Sequence, residues 1–357
     1  MDFRKWSISF LCLTLALLLC FAAVTGIIDP FFHYHKPLAG LEYELFYQRY
    51  QNDGIVRHFD YDAVITGNSM SENFRTSECD ALFSVRSVKV PFSGASPKEL
   101  DMNTRAALKA NSDVKLVIMN LDWSNFIKDK DTMSYDDEDY PDYLYNSNPF
   151  DDVKYLLNKD IFKTSLSVLA DTLTGKKGTS FDDYSFWGND ASIHYGKEAI
   201  LASFDPGWFG GEIFRLDDVR REILTGNVAQ NLLAIAQENP QIRFYYFLPP
   251  YSMYFWAKMY NIGELELQFE AQEAVFELLL EQENISLFSF LDEFELAQDF
   301  SRYKDYIHYD ADVNSRMLEC MAKDEHRITK GNYRQYFDAC REFYLGYDYE
   351  SLLDDAA

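Results

Sequence analysis

Basic residues are scarce in this 357-residue chain: 33 lysines and arginines face 58 aspartates and glutamates, a formal net charge of -25. A surface that acidic repels phosphate backbones, which excludes nucleic acid as a partner. Cysteine is also sparse, with five in the chain, and none forms a CxxC pair. Because HExxH and Cys/His clusters are missing too, a metal has no support and no cofactor is expected. Cys12 and Cys20 fall in an apolar stretch, leaving the odd set Cys79, Cys320 and Cys340. Two readings stand side by side. Either Cys320 and Cys340 pair across two C-terminal helices in an oxidising exterior while Cys79 is a buried small apolar residue, or all three are free thiols. Neither repeats nor low-complexity tracts occur, and 47% apolar with 17% aromatic content provides material for a sizeable core.

Every residue from Ser7 to Ile28 is uncharged, and the segment is dominated by Leu, Phe, Ala and Ile. A bilayer core takes roughly 20 helical residues to cross, whereas the apolar part of a cleaved signal peptide is about 7 to 15 residues long. The length therefore favours an uncleaved anchor. Arg4 and Lys5 precede the run and Asp29 follows it, so the positive-inside bias puts the N-terminus in the cytoplasm and the rest outside, at the cell membrane. The acid excess belongs to that exported part. Residues 29–60 are expected as a juxtamembrane segment, where His33 and His35 sit among aromatics at the membrane interface.

From residue 61 to 357 the pattern alternates short β-branched runs with amphipathic helices, the signature of a parallel α/β sheet. Strands are expected at Tyr61–Thr66, Val85–Phe92, Val114–Leu121, Ile242–Leu248 and Ile285–Phe290. Helices are expected at Ser71–Phe83, Ser96–Asn111, Leu265–Glu283, Ala311–Lys323 and Lys330–Leu345. Ser96 with Glu99 forms a capping box. The expected fold is a doubly wound, mainly parallel five-stranded sheet in three α/β/α layers, with an insertion or cap at about 124–239. That insertion carries helices near Asp152–Leu173 and Leu216–Glu238. Its acidic run Tyr135–Asp142 matches no calcium loop and reads as a solvated face.

Ligands of open parallel sheets bind at the carboxyl ends of the strands. Those ends carry Gly67, Asn68 and Ser69, then Gly94, then Asn120 and Asp122, then Tyr251, and after the fifth strand Asp305 and His308. A serine hydroxyl is a poor nucleophile near neutral pH unless a base lies within reach and a third group fixes the base's tautomer. His308 suits the base and Asp305 the orienter, being three residues apart on a turn. Backbone N–H groups at the following helix start and at Gly94 suit an oxyanion. Tyr251, Tyr254 and Trp256 suit either core packing or a sugar-stacking groove.

On these residues the chain resembles the SGNH (GDSL-like) hydrolase superfamily. The first block, Gly-Asp-Ser, is similar to Gly67-Asn68-Ser69; the second-block glycine to Gly94; and the final Asp-x-x-His to Asp305 through His308. The resemblance covers roughly residues 60–123 and 240–315. It implies Ser69 as nucleophile, His308 as base, Asp305 as its orienter, and the N–H groups of Ser69 and Gly94 as oxyanion donors. The anchor and insertion resemble the exported DltD, AlgJ and AlgX type proteins, which work beside a membrane-bound O-acyltransferase on cell-surface polymers. The implied function is transfer or hydrolysis of O-acyl groups, O-acetyl foremost, on a surface polysaccharide. Two positions depart from the pattern. Asn68 replaces the usual Asp, and the third block, normally Gly-x-Asn-Asp, puts Asp122 where an oxyanion donor belongs, with Asn120 or Asn125 left to supply the amide. Such a carboxylate would have to be protonated or turned away. The rivals are a non-catalytic scaffold that keeps the sheet, and an exported phosphoesterase, which no metal cluster or phosphate loop supports.

Overall fold

A computed structural model of the chain describes residues 3–135, 140–207 and 211–354. Residues 136–139 of the acidic run lie outside it. The chain divides into two compact units, one made of residues 1–60 and 135–184, the other of 61–134 and 185–357. The insertion expected at about 124–239 is thus split between them.

The first unit begins with α1 (Phe3–Ile28), a helix of 26 residues that is long and apolar enough to cross a membrane. It ends at Asp29, which takes a left-handed φ of 48°. The buried Asp29 carboxylate accepts the N–H groups of His33, Tyr34 and His35 and the hydroxyl of Tyr155, so the chain leaves α1 in a fixed direction. The stretch expected as plain juxtamembrane chain contains α2 (Gln48–His58). Its polar sequence hides it from any hydrophobic period; side-chain bonds hold it instead, with Gln51 accepting the N–H groups of Phe46 and Tyr47 and donating to the carbonyls of Pro30 and Glu44.

The second unit is the α/β part. Its strands are β1 (Ala63–Gly67), β2 (Ser87–Pro91), β3 (Leu116–Asn120), β4 (Arg243–Leu248), β5 (Ile285–Ser289) and β6 (Arg327–Ile328), in the order β2-β1-β3-β4-β5-β6. The first five run parallel, and every residue of β1, β2 and β3 is buried, as runs rich in Val, Ile and Leu require. β6 corrects the expected five-stranded sheet: it pairs antiparallel with β5 and makes the sheet mixed. With only two residues it leaves no alternating run to find. Helix α3 (Thr76–Phe83) starts later than expected, because Ser69–Ser71 is a separate tight 3-10 turn. Helix α4 (Pro97–Ala110) has the expected capping box, with Glu99 N–H donating to Ser96 and Ser96 N–H to Glu99.

All five cysteines are free thiols, so the pairing of Cys320 with Cys340 is not made. Burial pushes the thiols of Cys79 and Cys340 up to about 12 and that of Cys320 to about 11.

At the β5–β6 edge, His326 is held between Asp292 at Nδ1 and Glu293 at Nε2, each 3.1 Å away. The bond to Asp292 and then that to Glu293 raise its pKa from 6.5 to about 9, against the effect of burial. The stabilisation is therefore complete below pH 6.5 and is lost as pH rises through about 9. Thermal melting from pH 6.5 to above pH 9 should fall steeply in the native chain and less in His326→Gln; the same slope in both would show that His326 is not the cause.

Candidate active site

The strand order reverses at β1, so the carboxyl ends of β1 and β3 frame a crevice. β1 stops at Gly67, where φ is +138° and an added Cβ would lie 2.0 Å from Asn120 Oδ1 and 2.4 Å from Ser71 Oγ. Only glycine lets the end of β3 close on this turn. Asn120 fills the space. Its Oδ1 accepts the N–H of Asn68 and the hydroxyl of Ser71, and its Nδ2 donates to Asn68 Oδ1, all at 2.9 Å. Asn68 Oδ1 also accepts the N–H of Met70, capping the 3-10 turn. Ser69 is thus the half-buried corner of a turn whose neighbours are fixed.

His308 comes from the loop after β5. A bridge between Tyr303 and Tyr309 closes that loop, and Lys304 N–H donates to the His308 carbonyl at 3.0 Å. Asp305 Oδ1 accepts the N–H groups of Ile307 and His308 at 2.8 Å each, which leaves Oδ2 facing His308 Nδ1 at 2.8 Å. His308 Nε2 lies 2.7 Å from Ser69 Oγ. An ionised carboxylate only accepts, so Nδ1 carries the proton and Nε2 offers its lone pair to the serine hydroxyl. Burial opposes the charge on Asp305, but the bond from His308 and the two backbone N–H groups outweigh it and hold the carboxyl below its ordinary range. The arrangement can take a proton from Ser69 and return it elsewhere.

Ser69 and His308 open on a cleft of about 250 Å³ that is also lined by Asn68, Gly94, Asp122, Tyr251 and Glu264. Tyr251 stacks on Phe255 with ring centres 4.1 Å apart; both border the cleft but are largely buried, 4% and 8% exposed. Tyr254 and Trp256 are fully buried in the core.

Asn120, expected as a possible oxyanion donor, instead turns its amide to brace the Ser69 turn, Oδ1 accepting two donors there and Nδ2 donating to Asn68. Asn125 is similarly engaged, donating to the Ala95 carbonyl and to Asp122. Asp122 is accommodated by donors. Oδ1 accepts the N–H and hydroxyl of Ser124, and Oδ2 accepts Asn125 Nδ2 at 3.2 Å and Asn68 Nδ2 at 3.4 Å. Its pKa is nonetheless raised, burial outweighing those bonds. The Asn at position 68 thereby has a partner that an Asp could not provide, since two carboxylates would repel.

Sequence reasoning missed a second layer. The buried ammonium of Lys89 donates to the carbonyls of Glu72 at 2.6 Å and Phe74 at 2.8 Å, and Asn73 between them accepts the N–H groups of Trp187 and Gly188. Trp187 then meets the His308 ring edge to face, with centres 6.1 Å apart, while Lys304 Nζ lies 3.8 Å above the indole. A lysine inside a strand is the one local signal that could have pointed here.

Compared with known proteins, the chain matches no family model and no curated protein.

The two glycines of the site should differ sharply on substitution. Gly67→Ala forces a Cβ into the Asn120 amide and should cost about 3 kcal/mol or more of stability with loss of any Ser69 reactivity. Gly94→Ala has open space around its Cβ and bears only the strain of φ +65°, about 1 kcal/mol. Equal denaturant midpoints for the two variants would contradict this account.

Proposed function

We propose that the chain is an SGNH-like serine acyltransferase or esterase, anchored by α1 with its α/β unit outside the cell membrane, that acts on O-acyl groups of a surface polysaccharide or related polymer. One observation carries the proposal: Ser69 Oγ, His308 and Asp305 stand in line at 2.7 and 2.8 Å at the mouth of a cleft.

His308 Nε2 takes the hydroxyl proton as Ser69 Oγ attacks the acyl carbonyl, and Asp305 stabilises the imidazolium that forms. The N–H groups of Ser69 and Gly94 receive the developing oxyanion, the two donors left once Asn120 and Asn125 are committed elsewhere. Collapse expels the alcohol, which takes the proton from His308, and leaves an acyl-Ser69 ester. An incoming hydroxyl then gives its proton to His308 and attacks that ester: water completes hydrolysis, while a sugar hydroxyl completes transfer. The proposed partner is an acylated polymer, the chemistry itself requiring only an acyl donor and a hydroxyl acceptor, and a membrane-bound O-acyltransferase would be a fitting source of acyl groups for an anchored enzyme.

Ser69→Ala and His308→Ala should each lower turnover of an activated acetyl ester by roughly three orders of magnitude or more, and Asp305→Asn by less. A fluorophosphonate should label Ser69 in the native chain. A folded protein that stays unlabelled, with full ester turnover in Ser69→Ala, would overturn the mechanism; an unlabelled protein without turnover would favour the scaffold reading.

A further inference from the structure

The first unit carries an apolar face that neither its own core nor the catalytic chemistry uses. Every residue of α1 from Phe3 to Cys20 is exposed, about 27 Å of helix at 1.5 Å per residue, close to the roughly 30 Å of a bilayer core. From Phe21 onward one side of α1 is covered by protein, with Thr25 and Ile28 buried. Phe21 stacks on Phe162 with ring centres 4.0 Å apart, and a Cβ on Gly26 would lie 3.3 Å from Leu156. Phe162 belongs to the helix Lys159–Thr174, whose first turn therefore sits where α1 leaves the lipid. Its far end is tied to the end of α1: Glu42 N–H donates to Thr172 Oγ1 at 2.9 Å, and the neighbouring Tyr43 donates its hydroxyl to the carbonyl of Ile28, the last residue of α1.

At about 100° per residue, this helix has three faces. Ile161, Ser165 and Val168 are buried. Phe162, Leu166, Leu169 and Leu173 form a second apolar stripe roughly 100° away by the same spacing, with Leu166 45% and Leu173 87% exposed. The remaining face is polar. Phe150, 89% exposed, lies shortly before the helix in the same unit. Lysines and aspartates nearly balance between residues 150 and 177, although the whole chain carries -25, so this region is spared the repulsion that anionic headgroups impose on the rest.

We propose that the helix Lys159–Thr174 lies in the outer interface of the phospholipid bilayer, with Phe162, Leu166, Leu169 and Leu173 turned into the lipid beside α1. The occupant follows from continuity: the stripe begins at the residue stacked on the emerging transmembrane helix, just where its fully exposed stretch ends. The chain is then held to the membrane by a spanning helix and an in-plane one, which sets the tilt of the first unit on the surface. The inference stands whether or not Ser69 is a nucleophile.

The test uses the full chain in nanodiscs of phosphatidylcholine and phosphatidylglycerol. With Cys12→Ser and Cys20→Ser in place, the buried Cys79, Cys320 and Cys340 are shielded from reagent, and a nitroxide is attached at Leu166→Cys, Leu173→Cys or, on the polar face, Ser167→Cys. Labels at 166 and 173 should collide readily with oxygen and several-fold less with a water-soluble nickel chelate than the label at 167. Equal nickel accessibility at all three sites would overturn the proposal. Loss of access to both reagents at 166 and 173 would also overturn it, assigning the stripe to a protein neighbour such as a second copy.

Discussion

The candidate site depends on how closely two neighbouring strand ends approach. β1 and β3 pair in parallel with Thr66 opposite Met119, which brings Gly67 beside Asn120 just as both strands end. Because position 67 has no Cβ, the Asn120 amide enters the turn and satisfies a backbone N–H, a hydroxyl and an amide oxygen at once. Ser69 therefore has its place set by the sheet. The Ser69 turn is also tied to the His308 loop: Tyr309, next to His308, donates its hydroxyl to the Met70 carbonyl, and Asn314 donates its amide to the same oxygen. A third tie runs from Ser252, after β4, to the carbonyl of Tyr306 in that loop. The Ser69–His308 distance thus follows from backbone geometry more than from the two side chains.

A comparable constraint operates in the first unit, where one carboxylate decides how the chain leaves α1. Three successive N–H groups and a tyrosine hydroxyl converge on Asp29, a buried aspartate at the end of an apolar helix. Four donors offset the cost of burying the charge. The consequence is mechanical, since Tyr155 is also part of the core formed with Phe31, Leu144 and Ile161. What emerges from the apolar span is a turn bolted to a packed aromatic core, unlike a loose tether.

Much of this was legible locally. Runs such as Val64, Ile65 and Thr66, followed by glycine, announce a buried strand and its end, and Asp305 with His308 needs only a three-residue turn to act together. The illegible parts were those set by contacts distant in sequence. Asn120 read as an amide donor to substrate because its type suits that role; its real partners, Asn68 and Ser71, are about fifty positions away and are reached only once β3 lies beside β1. Nothing in the sequence ties Lys89 to Trp187, because the link passes through backbone carbonyls and one asparagine. The division of the insertion was hidden for the same reason, since the helix Lys159–Thr174 owes its position to α1. Cys320 and Cys340 looked pairable by number and compartment, yet burial as thiols satisfied both.

The acidity of the chain reaches the cleft and limits what it suits. Asp122 and Glu264 line it, and neither lysine nor arginine is among the described residues that do. The four donors on Asp122 draw its charge toward Asn68, Ser124 and Asn125. Burial raises the pKa of Glu264 although Arg220 opposes this, so its carboxyl also has an environment that resists charge. On the acyl-transfer proposal, an anionic acceptor would meet like charge both in the cleft and across a surface of net -25, whereas a neutral acceptor would not. A cleft whose described lining holds two carboxyls and neither lysine nor arginine offers an anionic acceptor no ion pair, and that fits one recognised by its hydroxyls, not by phosphate or carboxylate groups.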